Sequence, residues 1–487
     1  MAKTLLPRAP VLVVGLGRAG DAALRRLLPS LGANGVAAWD SAVRGEASAR
    51  ATRWRSRGVA VTLGGDGTGA LLGCGRAATI VKSPGIDPDI PVLRLARELG
   101  VQVLDELEIG WRLSEEQIVA VTGTNGKSTT CRIIASILGA AGQDGEHLGN
   151  TEFGPPLSGA TPGRMPVCEV SSFQLEAAPT FLPAFAVFTN LSLEHLPRHG
   201  TMKAYGDAKS LMFVRRGRTC GTAIVNIDDE HGQHILARVR DAGGKTISFG
   251  FSRGADIRVV DARWTMRDAV TELVGERGGM TLRSRLPGRH NALNIAAAVA
   301  FGIAAGLDDS AIVAGVEAAA PPPGRHQLID EGQLFEVVVD YAHTPDGIAQ
   351  FLGSCRRVAA SRGASVRTVF GATGLPDTPK ALGMGMAAAT FSDQLILTTG
   401  TAPRSPRIVR LRELRDAAAQ VRPVQMVLDR RRAIECAVAS AEPGDVVAIL
   451  GLGALRRLVL DGAGTTCPFD DREAAREALR SLSPCAS

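Results

Sequence analysis

No stretch of this chain approaches the ~20 consecutive apolar residues that a membrane-spanning helix requires. Its first apolar run, Val11–Val14, stops at Gly15, too soon for a secretory signal. Paired cysteines are missing as well. The eight (Cys74, Cys131, Cys168, Cys220, Cys355, Cys436, Cys467 and Cys485) are scattered without metal-ligand or disulfide spacing, which excludes a structural zinc site and predicts a reduced, cytoplasmic protein. Charge of one sign is never concentrated. A net charge of +6 spread over 487 residues suits small anionic substrates and makes no case for nucleic acid. Aromatic residues are few, and Ala, Gly, Val and Leu dominate, as in a soluble α/β protein. At this length about three domains are expected.

The most informative stretch is Val119-Ala-Val-Thr-Gly-Thr-Asn-Gly-Lys-Ser-Thr-Thr130. An apolar run, Ile118 to Val121, enters a Gly-rich turn. Lys-Ser-Thr follows, and Cys131 to Leu138 reads as an amphipathic helix. Strand, Gly turn, Lys-Ser/Thr and helix are the parts of a phosphate-binding loop, here shortened so that Gly123, Gly126 and Lys127 remain of the longer glycine pattern. The backbone amides of Gly123, Thr124, Asn125 and Gly126 can surround a polyphosphate such as that of ATP. Lys127 can reach its terminal phosphates, and the hydroxyl of Ser128 or Thr129 can ligate Mg²⁺.

Taken in order, the chain repeats strand, turn and helix. Pro10 to Val14 is a strand, Gly15-Leu-Gly-Arg-Ala-Gly20 a G-x-G-x-x-G turn and Asp21 to Leu28 a helix. Val36 to Asp40 then ends on a carboxylate about 20 residues past the turn. That layout meets a dinucleotide ribose in some α/β domains; others place a nucleotide sugar there, or nothing. A second unit runs from Ala78 through the Ser83-Pro-Gly85 turn, a helix at Val92 to Leu99 and a strand at Val101 to Leu104. The first domain is expected to span residues 1–116. The second, 117–321, carries Leu148-Gly-Asn-Thr151, Val167 to Glu176 and Ala186 to His195, each marker following an apolar run and so falling at the C-terminal edge of a parallel sheet. An Ala-rich helix opens near Asn291. Pro321-Pro-Pro-Gly324 reads as a linker. The third domain, 322–487, begins with Phe335 to Asp346, continues with strands at Val366 to Phe370, Gln394 to Leu397 and Val446 to Leu450, and ends in a helix at Asp471 to Leu482.

In this order, over nearly the whole chain, these motifs resemble the Mur ligases, the ATP-dependent amino-acid-adding enzymes of peptidoglycan synthesis. The resemblance implies an N-terminal Rossmann-like domain for a UDP-linked substrate, a central P-loop ATPase-like domain and a C-terminal Rossmann-like domain. Gly15 to Gly20, Asp40, Ser83 to Gly85 and Glu169 to Glu176 look like the D-glutamate-adding member. His195 to Phe213, Val337 to Asp346 and Val369 to Gly371, with Asp377 and Lys380, look like the member that adds the third residue. The expected reaction is D-glutamate addition to UDP-N-acetylmuramoyl-L-alanine, with the addition of another amino acid, at the third position or in another pathway, as the alternative. A non-catalytic nucleotide-sugar binder would have lost the phosphate-loop residues, and a dehydrogenase would leave the second domain unexplained.

By that resemblance Glu169 and His195 are ligands of two Mg²⁺ sites together with Ser128, and Lys209 is carbamylated into a further ligand. Asn291 and Asn294 meet the adenine of ATP, while Arg325 and Asp340 reach ATP from the third domain. His343, Thr344 and Lys380 hold the amino acid. Gly15, Leu16, Gly17, Arg18, Ala19, Asp40, Ser83, Gly85 and Asn150 hold the UDP end. A monomer is expected. Two segments depart from the diaminopimelate-adding pattern. Gly400-Thr-Ala-Pro-Arg404 stands for Asp-Asn-Pro-Arg, and Gly451-Leu-Gly-Ala-Leu455 for Gly-Lys-Gly-His-Glu, so the polar groups that would hold a diaminopimelate side chain are missing. Glu194-His195 replaces the usual Asp-His, and Pro197 a usual Asp.

Overall fold

A computed structural model describes residues 6–73, 77–149, 154–371, 377–401, 407–461 and 465–482. Asn150, expected at the UDP end, and Arg404 lie outside them. Among the described residues no helix is long and apolar enough to cross a membrane.

Three large sheets follow one another along the chain, with two two-stranded ones beside them among the described residues, giving the mixed α/β, three-domain architecture that the motifs predict. The first has five parallel strands, with Val11–Val14 in the middle between Val36–Asp40 and Thr79–Lys82. Val11 and Val13 pack among Leu24, Leu27 and Trp54, whereas Leu12 and Val14 share a second core with Leu71, Val92 and Leu93. A strand covered by helices on both faces is apolar at every position, which explains its unbroken Val-Leu-Val-Val. The chain leaves Val11–Val14 toward one side of the sheet and Thr79–Lys82 toward the other, so the Gly turn opens into the crevice where the strand order reverses.

The nine-stranded central sheet is built around Val119–Thr122, flanked by Met165–Glu169 and Phe185–Phe188. Its far edge was not anticipated. Ile257–Trp264, Ala269–Gly275 and Gly278–Ser284 form an antiparallel meander whose residues alternate between buried and exposed, with Arg, Asp and Glu on the open face. Such strands carry no continuous apolar run to mark them. In the third sheet Glu336–Asp340, Val366–Phe370, Gln394–Leu397 and Val446–Leu450 are parallel neighbours in the order 336–340, 446–450, 366–370, 394–397, where the apolar runs place them. The linker glycine Gly324 (φ +64°) packs so closely that a Cβ there would lie 2.0 Å from the Ala454 amide nitrogen.

Between the first two sheets lies a buried carboxylate cluster. Asp105 pairs with Lys82 at 3.1 Å, and Glu106 accepts from the amide and hydroxyl of Ser158, each at 2.5 Å. Burial, then the neighbouring charge of Asp105, pushes Glu106 from 4.5 up to about 7. A carboxyl whose pKa is raised by folding adds stability that is complete below its unfolded pKa and disappears as pH rises through the folded one. We therefore expect the melting temperature to fall between pH 5 and pH 8. Glu106→Gln should remove most of that dependence, of order 3 kcal/mol, leaving the smaller contribution of Asp105, which is raised to about 6. Equal slopes for the variant and the parent in thermal melts across this range would show that Glu106 is ionised throughout.

Candidate active site

The strand Val119–Thr122 delivers the chain into the turn Gly123–Gly126, and the following helix begins at Lys127, four residues earlier than expected. Two glycines make this tight exit possible. A Cβ on Gly123 (φ +148°) would lie 1.9 Å from Thr189 Oγ1, and one on Gly126 (φ +89°) would lie 2.3 Å from Asn294 Oδ1. Thr189 and Asn190, which follow the neighbouring strand, clamp the turn. Thr124 N and Asn125 N donate to the Asn190 carbonyl (2.8 Å) and Oδ1 (2.9 Å), and Thr189 Oγ1 donates to the Asn125 carbonyl at 2.6 Å. No side chain caps the helix Lys127–Ala140, so its first amides are left for an anion.

Around this loop the structure gathers residues that are far apart in the chain. Lys127 Nζ donates to the carbonyls of Gly123 (3.0 Å) and Thr124 (2.9 Å), and Lys209 Nζ reaches the Gly123 carbonyl at 2.9 Å. Lys209 is almost wholly buried beneath the Tyr205 ring, 4.4 Å from its centre. Burial, with the like charge of Lys127, holds its pKa well below the usual lysine value. Glu169 ends the strand Met165–Glu169 and meets His147 Nε2 at 2.9 Å. Burial alone would raise its pKa, but His147, Lys127 and the Ser128 hydroxyl hold it below the ordinary range, so it is a carboxylate. His195 sits in the left-handed backbone region (φ 57°), its ring edge-on to Phe173. Partial burial and the surrounding Lys380, Lys127 and Lys209 push it down to about 3, leaving a neutral imidazole with a free lone pair.

Two cavities meet at the loop. One, of about 370 Å³, runs from Gly126, Ser128 and Thr129 past Asn291 and Asn294 to Phe249 and Phe251. The other, of about 310 Å³, lies between Lys127, Glu169 and His195 on the central sheet and Tyr341, His343 and Leu455 from the third. Arg325 borders both, stacked 4.7 Å from the Tyr341 ring centre. Asp340 ends its strand and accepts from the amides of His326 and Ala342, each at 2.7 Å; burial raises its pKa against the pull of Arg325.

Some expected residues are spent within the protein. Asn294 accepts from Thr130 Oγ1 (3.3 Å) and donates to Asn291 Oδ1 (3.0 Å), so both amides brace the loop from the wall of the first cavity. Thr344 caps the helix Pro345–Ala360 and donates to Asn125 Oδ1 at 3.2 Å. Lys380 pairs with Glu194 at 2.6 Å, and His343 Nδ1 meets the Tyr341 carbonyl at 2.8 Å. In the first sheet both oxygens of Asp40 accept backbone amides, from Leu16 (2.6 Å) and Ala42 (2.8 Å), so the acid that spacing assigns to the UDP end also holds the Gly turn. The side chains of Leu16 and Ala19 are buried in the core, while Gly17 faces open space. Ser83 and Gly85 complete the crevice beside Gly15, and Arg18 reaches across to the Gly154 carbonyl at 2.6 Å.

Sequence reasoning missed four features. His147 carries no pattern, and only the register of its strand beside Met165–Glu169 brings it to Glu169. Asn190 stood inside a recognised marker without being singled out. Phe249 and Phe251, with the Arg289 guanidinium 3.5 Å from the Phe251 ring centre, form a flat wall suited to stacking a base. A cavity of about 510 Å³ beside the Gly turn is lined by Arg18, Arg25, Arg26, Arg50 and Arg53, from two helices that no local spacing connects.

Comparison with known proteins agrees with this geometry. Residues 121–302 match the Mur ligase middle domain and residues 324–453 the Mur ligase, glutamate ligase domain. The UDP-N-acetylmuramoyl-L-alanyl-D-glutamate–2,6-diaminopimelate ligase of Gloeobacter violaceus is 34% identical over 436 residues, covering 83% of this chain and 86% of its own. The enzyme of that name from Streptomyces coelicolor is 34% identical over 390 residues, 74% of this chain and 76% of its own. In fold, the chain is similar to UDP-N-acetylmuramate-alanine ligase from Thermotoga maritima (TM-score 0.61, 18% identity, 98% and 99% coverage). It is also similar to a pseudomurein peptide ligase type C from Methanothermus fervidus (TM-score 0.57, 18% identity, 98% and 100% coverage).

Because a Cβ at Gly126 would strike Asn294 and strain the backbone, Gly126→Ala should open the loop, lower the melting temperature and weaken ATP binding by about tenfold or more. Titration calorimetry with ATP checks this, and undiminished affinity would place the phosphates elsewhere.

Proposed function

This chain belongs to the Mur ligase family, and on that premise we propose that it is a cytoplasmic, ATP-dependent ligase of peptidoglycan precursor synthesis that adds the third amino acid to UDP-N-acetylmuramoyl-L-alanyl-D-glutamate. The observation that carries the reading is the gathering of Lys127, Glu169, His195 and Lys209 at one edge of the central sheet, opposite Arg325 and Asp340 of the third domain. The expectation of D-glutamate addition gives way here. The relatives that match most of the chain carry the name of the diaminopimelate ligase, whose substrate already holds D-glutamate. The features that resembled the D-glutamate-adding member lie mainly in the first domain and on the strand ending at Glu169.

A carboxylate is a poor electrophile, so an amide bond needs activation. In the proposed reaction a carboxylate oxygen of the UDP-linked dipeptide attacks the γ-phosphorus of ATP, releasing ADP and leaving an acyl phosphate. The incoming amine then attacks the carbonyl carbon, inorganic phosphate departs with the bonding pair, and the amine gives up its proton. Charge crowds at the γ-phosphate in the first step, and the uncapped first amides of the helix Lys127–Ala140, with Lys127 and Arg325, would offset it. Closure of the third domain, which supplies Tyr341, His343 and Leu455 to this cavity, would exclude water that otherwise hydrolyses the acyl phosphate. The cavity rich in arginines beside the Gly turn suits the diphosphate of the UDP end.

Mg²⁺ fits the donors present. Glu169 is a buried carboxylate in contact with the Ser128 hydroxyl, and His195 is neutral, while the described residues hold no cluster of three His, Cys, Asp or Glu that would complete a site by themselves. Ser128, Glu169, His195 and a carbamylated Lys209 would hold the ion, with phosphate oxygens and water as the remaining ligands, and it would neutralise phosphate charge. A lysine whose pKa burial pushes well below the usual value is chemically suited to capture CO₂.

One observation favours a different third amino acid. Leu452, Ala454 and Leu455 present an apolar wall to the cavity where the amine must arrive. An acceptor with an uncharged side chain would suit that wall better than diaminopimelate, whose distal ammonium and carboxylate need polar partners.

Phosphate release with the UDP-linked dipeptide, measured against a panel of amino acids, tests the assignment. Turnover with diaminopimelate is expected on the first reading and with an apolar amino acid on the second. Turnover only with UDP-N-acetylmuramoyl-L-alanine and D-glutamate would overturn both. If Lys209 is carbamylated, Lys209→Ala should lose about 100-fold or more in activity, with partial recovery on adding short-chain carboxylic acids. An absence of rescue in a folded variant would remove the carbamate from the mechanism.

A further inference from the structure

Lys380 was expected to hold the amino acid, yet its ammonium is already committed. Nζ lies 2.6 Å from Glu194 Oε1, across 186 residues of chain and across the boundary between the second and third sheets. Both side chains are more than nine-tenths buried. Each is held from its own side. The Lys380 amide donates to the helix cap Asp377 at 3.1 Å, and Glu194 precedes His195, whose Nδ1 lies 3.8 Å from the same carboxylate oxygen. The second oxygen of Glu194 is buried with no hydrogen-bond partner among the described residues. Lys380 is thus the hydrogen-bond donor that answers this carboxylate.

A second bridge runs parallel to the first. Asn125, inside the phosphate loop, accepts from Thr344 Oγ1 at 3.2 Å and donates to Asp346 at 3.1 Å, both on the third domain. The two bridges land on either side of the reaction cavity, one on the loop that holds phosphate and one beside His195. Other links between these domains, among them Trp264 to the Ser354 carbonyl, His326 Nε2 to the Met266 carbonyl (2.9 Å) and Arg267 to Asp330, lie away from the reaction cavity, and the last pair is half-exposed.

We propose that Lys380 is a positioning residue and not a substrate contact: by locking Glu194 in a buried pair it fixes the third domain against the loop that carries His195. The inference rests on the reading that the third domain completes the reaction site. A buried ion pair adds little net stability compared with an apolar pair, because desolvation offsets the attraction, but removing one partner strands a charge and is strongly unfavourable. That asymmetry suits a latch. The pair is satisfied only with the two domains together, and apart both groups return to water.

The same asymmetry makes the idea testable by a double-mutant cycle. Small-angle scattering of the full chain with a non-hydrolysable ATP analogue and Mg²⁺ reads domain closure without reference to the amino acid added, so it remains informative if the substrate assignment fails. Lys380→Met should enlarge the radius of gyration, and Lys380→Arg, which keeps the charge, should stay compact. The double variant Glu194→Gln/Lys380→Met should return to the compact value, since it leaves no stranded charge. In phosphate release, Lys380→Met should lower kcat by about 100-fold or more, with the amino-acid KM changed little, and the double variant should recover at least about tenfold of that loss. A Lys380→Met variant as compact as the parent, a double variant as open as the single, or a loss confined to the KM of the amino acid would overturn the proposal. The last result would return Lys380 to the substrate.

Discussion

The turn Gly123–Gly126 is usable only because Thr189 and Asn190 hold it in place. Three backbone groups of the turn find partners in that neighbouring segment, and Asn226 Nδ2 in turn donates to the Thr189 carbonyl at 2.8 Å. The clamp satisfies the Asn125 carbonyl, Lys127 and Lys209 answer those of Gly123 and Thr124, and the first amides of Lys127–Ala140 are left without side-chain partners. A helix N-terminus with unspent donors carries a local positive potential. The two glycines permit a closeness that a Cβ would prevent, so the strained geometry and the anion site have one cause.

Around that point the protein gathers basic side chains. Lys127, Lys209 and Arg325 crowd the loop, and Lys380 stands behind Glu194. Burial and mutual repulsion lower the pKa of Lys127 and Lys209. Two carboxylates, Glu169 and Glu194, are held within the group by His147 and Lys380 respectively. Such a grouping suits a polyanion: Lys127 and Arg325 bring the positive charge, while burial pushes Lys209 toward its neutral form. The imidazole of His195, kept neutral in the same field, remains a donor atom in place of becoming another charge.

How much of this could be read beforehand depends on the distance over which each feature is specified. The apolar runs at Val366–Phe370, Gln394–Leu397 and Val446–Leu450 became strands because both faces of that sheet are covered, a condition written into consecutive residues. The meander from Ile257 to Ser284 was missed because one covered face leaves only an alternation, diluted by charged residues. Asp40 was located by spacing, but spacing cannot say that its oxygens turn back to the amides of Leu16 and Ala42. Lys380 was singled out by its motif and assigned to a substrate, because its partner lies 186 residues away.

The sequence alone determined the α/β class, the phosphate loop and the placing of Glu169 and Asp340 at strand ends, because each depends on a few adjacent residues: glycines that permit a turn, apolar runs that must be buried, a carboxylate where a strand stops. Only the tertiary structure decided that His147 holds Glu169, that Thr189 and Asn190 clamp the loop, and that Glu194 and Lys380 join two domains beside it. These contacts depend on strand register and on how separate sheets dock, and no local pattern in the chain encodes where a distant side chain will come to rest.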